Sequence, residues 1–149
     1  MQRQIEQVSK LEAAERQLVE AIRLFFEERD RVAIHTLVSA AHQVLADVGR
    51  IHGYGGVMRN PELVKKGKEA EYLQAIKRAE NFFKRADRNP NESIEFAPFL
   101  TEIFLNEALQ IYRVLTGTMV WEFGVYGIWF TMEYPQLVVE SPYRSLASA

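Results

Sequence analysis

The residue types able to do chemistry are few in this chain, and their spacing restricts what they can do. Arg29 is followed after five residues by His35, a pair that could stabilise charge on a phosphate and move a proton. His35 and His42 lie seven residues apart, about 10.5 Å along a helix, too far to share one metal ion. No His-x-x-x-His, Glu-x-x-His or His-Asp occurs, there are no cysteines, and no metal site is expected. Glu12, Glu15, Glu27 and Asp30 imitate two acidic pairs that would hold magnesium, but about 22 Å of unbroken helix separates them. Gly53-Tyr54-Gly55-Gly56 lacks the Lys-Ser/Thr of a phosphate loop and reads as a plain flexible loop. No Gly-x-Ser-x-Gly elbow is present. The clearest feature is a cationic stripe, in which Lys77, Arg78, Lys84, Arg85 and Arg88 share one helix face with Asn81. Such a stripe could hold a phosphate backbone or an acidic partner, or be a solvated face neutralised by neighbours such as Glu80.

The elements that must position these residues are helical. Ser9 and Glu12 form a capping box, and apolar residues from Leu11 to Phe26 recur at helical spacing, which predicts a helix over about 6–29. Asp30 caps a second helix, with Ile34, Leu37, Val38, Ala41, Leu45 and Val48 as its stripe and Gly49 as its stop. Residues 49–60 hold four of the eight glycines and form a loop, and Asn60-Pro61 starts a short turn that stops at Gly67. The third helix runs from about Lys68 to Ala86, with Ile76, Ala79, Phe82, Phe83 and Ala86 facing the core. Asp87-Arg88-Asn89-Pro90 ends it, with Asp87 and Asn89 placed to lock the turn. An extended link at 93–96 leads to a fourth helix from Pro98 to Gly117. A fifth, over 118–133, is apolar on almost all sides and reads as central and largely buried, a strand being the alternative.

The fold class expected is therefore all-α: a bundle of four long helices and a short one over residues 1–135, with a tail at 136–149. The chain has 149 residues, 48% of them apolar and 26% charged, the composition of a globular domain. Its net charge of -2 excludes a protein that coats nucleic acid by bulk charge. The charge is segregated, however. Residues 65–88 carry eight Lys or Arg and four acids, whereas 89–140 carry seven acids and Arg113 alone. The apolar stretch 119–132 is too short to span a bilayer, so no membrane association is expected, and a cysteine-free chain fits the reducing cytoplasm.

Two resemblances add to this. Arg29 and His35 match the Arg-x(4–6)-His spacing of the HEPN superfamily, which implies a helical RNA-binding protein or metal-independent ribonuclease. AIHTLVSAAHQVL (33–45) and ENFFKRADRNP (80–90) resemble a group of uncharacterised prokaryotic helical proteins, with weaker similarity extending over about 30–135. Members of that group often have His where this chain has Arg85, and Asp where it has Asn89. The resemblance implies an intracellular helical protein and no established activity. The first expectation is a non-catalytic binding or interaction module without a cofactor. Its partner would be a protein or an anionic ligand held by Lys77, Asn81, Lys84, Arg85 and Arg88, and its aromatics suit a homodimer. The alternative is the HEPN-like reading with Arg29 and His35 catalytic and RNA as partner. A small-molecule pocket among the aromatics of the last two helices is a third.

Overall fold

In the computed structural model, residues 3–138 are described. They form five α-helices: α1 (Lys10–Phe26), α2 (Arg31–Ile51), α3 (Glu69–Lys84), α4 (Pro98–Thr116) and α5 (Trp121–Glu133). Single 3-10 turns lie at Pro61–Leu63 and Pro135–Leu137. No strand occurs among the described residues, and the all-α architecture is as expected.

Local chemistry places the helix ends. The Ser9 hydroxyl accepts from the Glu12 amide at 3.1 Å while the Glu12 carboxylate accepts from the Ser9 amide at 2.8 Å. Both bonds satisfy amides that the first turn leaves without intrahelical partners. The Asp30 carboxylate caps α2 through the Ala33 amide at 3.0 Å. Gly117 ends α4 in the left-handed region, at φ 68°, with its amide on the Arg113 carbonyl. The helices expected over 6–29 and 68–86 are shorter, at Lys10–Phe26 and Glu69–Lys84.

The core lies where α1, α2, α4 and α5 meet. Leu18, Ile22, Ile34, Val38, Leu45, Phe104, Leu105, Ile111, Phe123 and Tyr126 are all nearly or wholly inaccessible. The central element is α2, which packs against α1, α3 and α4. The helix expected over 118–133 is largely buried, but its central place is corrected, since α2 is the central element. The α5 helix lies at the edge on α1 and α4, burying Phe123, Tyr126 and Phe130 and leaving Trp121 and Met132 exposed. Nor does the bundle stop at residue 135, because Val138 is 8% exposed and belongs to the core. The rest of the predicted tail, 139–149, lies outside the described residues.

Gly49 does not stop α2. The helix continues to Ile51, and the Tyr54 chain folds back so closely that a Cβ on Gly49 would sit 2.0 Å from the Tyr54 carbonyl oxygen. A Cβ on Gly55 would likewise meet the Ala46 carbonyl at 2.8 Å. The glycine-rich stretch is thus packed onto α2, which corrects the reading of it as a plain flexible loop.

Candidate anion-binding face and the buried network beneath it

The α3 helix reaches the bundle in an unusual way. Ile76 packs against the edge of the core, yet the one buried residue of α3 is Glu80. It lies on the same helical arc as Ile76 and Phe83, and both carboxylate oxygens take hydrogen bonds from the Arg59 guanidinium, at 2.8 and 2.7 Å. Arg59 is 2% exposed, with its guanidinium carbon 4.9 Å from the centre of the Phe104 ring. It donates further to the Ser39 carbonyl, the Gln43 side chain and His42 Nδ1.

That last bond decides the state of His42. Arginine Nε–H can only donate, so His42 Nδ1 must accept, at 2.9 Å, and the ring proton resides on Nε2. Nε2 donates to Glu107 at 2.8 Å, and the same carboxylate accepts the Val57 and Met58 amides at 3.0 and 3.1 Å. The result is an unbroken chain, Glu80–Arg59–His42–Glu107, linking α3, the 52–60 segment, α2 and α4. Burial pushes His42 below the ordinary histidine pKa despite the opposing pull of Glu107. Burial works to raise Glu107, but the His42 N–H and the two loop amides outweigh it, and its pKa is lowered.

His35 is wholly buried, sharing a 2.7 Å hydrogen bond through Nδ1 with Thr101 of α4. Phe83, Phe96 and Phe104 surround the ring, and Nε2 has no hydrogen-bond partner among the described residues. Burial lowers its pKa as well. Arg29 is exposed in the turn before α2, and no hydrogen bond joins it to His35. Each of His35 and His42 therefore bonds a residue of α4, and each sits in the interior.

The cationic stripe is present on the outside of α3. Glu80 does not neutralise it, because that carboxylate is turned inward to Arg59. Lys77, Arg78, Lys84, Arg85 and Arg88 have no ion-pair or hydrogen-bond partner among the described residues. Some cations elsewhere are paired, Arg16 with Glu6, Arg23 with Glu20 and Glu122, Arg50 with Asp47, and Lys68 with Glu71, whereas Lys10, Arg29, Lys65, Lys66 and Arg113 are exposed without side-chain partners among the described residues. Two grooves flank the stripe. One, of about 560 Å³ between α2 and α3, is lined by Lys77, Asn81, Lys84 and Arg85 together with Thr36 and Gln43. The other, of about 680 Å³, lies between α3 and the chain that follows it, and Arg78, Asn81, Arg85 and Arg88 line it. All five predicted ligand-binding residues thus border a groove, and Asn81 and Arg85 border both.

Two details of the stripe differ from expectation. Ala86 is exposed and Phe82 is half-buried, so the supposed core-facing arc of α3 is only partly covered. The Asp87 and Asn89 side chains form no hydrogen bonds that lock the turn. Asn89 instead adopts a left-handed conformation, at φ 50°, and its carbonyl accepts the Glu92 amide.

The residues overlooked in the sequence are Arg59, Glu107 and the inward role of Glu80. A signal existed for Glu80, a carboxylate in the middle of the Ile76–Phe83 arc. None existed for Arg59, which sits in a loop without periodicity. No group of three or more His, Asp or Glu able to hold a metal occurs among the described residues, and no described helix is long and apolar enough to cross a membrane. No family model, curated protein or solved structure matches this chain.

Proposed function

We propose that this protein is a non-catalytic cytoplasmic binding module whose outer α3 face takes an anionic partner. The observation that carries the reading is the set of five cations, Lys77, Arg78, Lys84, Arg85 and Arg88, that share one helix face, border two grooves and have no partner among the described residues. Exposed cations such as Lys10, Arg29 and Arg113 also lack partners among the described residues, but they are scattered, whereas these five share one helix face beside grooves. Glu80, in the middle of α3, is committed to Arg59 and does not neutralise them. The same network fixes the side of α3 that turns outward, so the stripe is held on the outer face of the helix.

The HEPN-like reading needs Arg29 and His35 at one accessible site. His35 at 0% exposure, held by Thr101, favours a structural role for that residue. The test combines both readings. At low salt the protein should be retained on immobilised heparin despite its net charge of -2, eluting as salt rises. The variant Lys77→Glu/Lys84→Glu/Arg85→Glu, its helicity unchanged by circular dichroism, should pass through. Retention unaffected by the triple change would overturn the assignment of the face. Cleavage of single-stranded RNA in EDTA, lost in His35→Ala with helicity intact, would overturn the non-catalytic reading.

A further inference from the structure

The larger groove has more than positive charge. Its wall is the face of α3 around Asn81, and its rim is the segment that the left-handed Asn89 turns back beside the helix. At about 680 Å³ it falls within the range of sites that enclose small molecules, about 300–1,000 Å³.

Three kinds of group line it. Arg78, Arg85 and Arg88 supply three guanidiniums without acid partners among the described residues. Asp87 and Glu92 line the same space, and neither carboxylate forms an ion pair or hydrogen bond among the described residues. Half-buried Phe82 and Ile94 supply an apolar surface. The Phe82 ring is backed edge-on by Phe83 at 6.1 Å, and Phe83 by Phe96 at 5.1 Å and by His35 at 5.9 Å. It is therefore an aromatic surface anchored to the bundle.

Each group asks for something different from a ligand. Guanidiniums match phosphate oxygens through forked N–H pairs. Unpaired carboxylates accept from hydroxyl or amino groups. An anchored aromatic ring beside an aliphatic side chain suits the face of a planar heterocycle. A continuous nucleic-acid strand would bring successive phosphates against Asp87 and Glu92, whereas a small ligand can turn its sugar or base toward them. We infer that this groove binds a nucleoside phosphate: phosphate at Arg78, Arg85 and Arg88, base at Phe82 and Ile94, and hydroxyl or amino groups at Asp87 and Glu92. The inference rests on the anion-binding reading of α3 and narrows it to one ligand class.

Calorimetric titration of the full-length protein with ribonucleoside mono- and diphosphates tests it, with nucleosides, pyrophosphate and single-stranded oligonucleotides as comparisons. At least one nucleotide should bind with Kd below about 1 mM. The matching nucleoside and pyrophosphate should each bind at least about tenfold more weakly, since each lacks one half of the contacts. Arg85→Ala and Arg88→Ala alter exposed residues and should keep native helicity while each weakens the nucleotide by roughly tenfold. Glu92→Ala should weaken the nucleotide and spare pyrophosphate. No binding by any nucleotide, alongside intact heparin retention, would overturn this inference and leave the α3 reading in place. Affinity that grows with oligonucleotide length and falls steeply with salt would overturn it in favour of a nucleic-acid strand. Loss of both nucleotide binding and heparin retention would remove both readings.

Discussion

His42 shows how one hydrogen bond can set a protonation state. Because Arg59 Nε–H points at Nδ1, an imidazolium at this position would oppose two donors 2.9 Å apart. The folded state therefore favours neutral His42, and burial acts in the same direction on His35. The unfolded chain takes up protons near pH 6.5, where the folded chain resists them, so stability is present above that pH and declines below it. Urea unfolding between pH 7 and 5 should show this as a loss of up to about 1.4 kcal/mol per pH unit per histidine. His42→Gln keeps a carbonyl for Arg59 and an N–H for Glu107 without titrating, and should flatten part of the slope. Glu107 acts at lower pH. Its pKa is depressed, so its contribution is complete above about pH 4.5 and is lost on further acidification.

The elements are joined by two kinds of attachment. Apolar packing holds α1, α2, α4 and α5, with Leu18, Ile34, Val38, Phe104 and Tyr126 wholly buried between them. Polar bonds fasten α3 and the 52–60 segment: Glu80 to Arg59, Glu107 to the Val57 and Met58 amides, and the Tyr72 hydroxyl to the Met58 carbonyl at 2.7 Å. A buried ion pair need not surpass an apolar pair in stability, yet removing one partner leaves a charge without compensation. Arg59→Ala should cost about 3–5 kcal/mol in denaturant unfolding for that reason. The double variant Arg59→Ala/Glu80→Ala should recover part of the loss, because no orphaned carboxylate remains. Equal and additive losses in the two single variants would show that the pair is uncoupled.

Across the whole molecule, this difference in attachment predicts a gradient of local stability. The α2 helix is enclosed by three neighbours, whereas α3 packs on α2 and the Pro61–Leu63 turn with no fully buried apolar side chain. Native-state hydrogen exchange should protect α2 and α4 up to the global unfolding free energy and release α3 amides through smaller openings. Equal protection of α3 and α2 would contradict that gradient. The element bearing the candidate binding face would then be the first to loosen, and an anionic ligand bound there should raise its protection.

Periodicity, capping residues and breakers were enough to place five helices in this chain and to pick out the cationic face of α3. Those features are local, since a helix face repeats every 3.6 residues and a cap acts within one turn. Ser9 with Glu12, Asp30, Pro98 and Gly117 each mark helix ends where they stand. The place of α5, misread as central, and that of the glycine loop, misread as free, depend instead on which neighbours arrive. Glu80 could be seen to break an apolar arc, but its partner Arg59 is 21 positions away in an irregular segment. His35 beside Arg29 in sequence looked like a reactive pair, while packing against Thr101, Phe83 and Phe96 took the imidazole into the interior. Sequence alone determined the helices and the positive stripe. Tertiary structure decided which charges were buried in pairs and which were left facing solvent, because ion pairing and burial depend on contacts between distant segments.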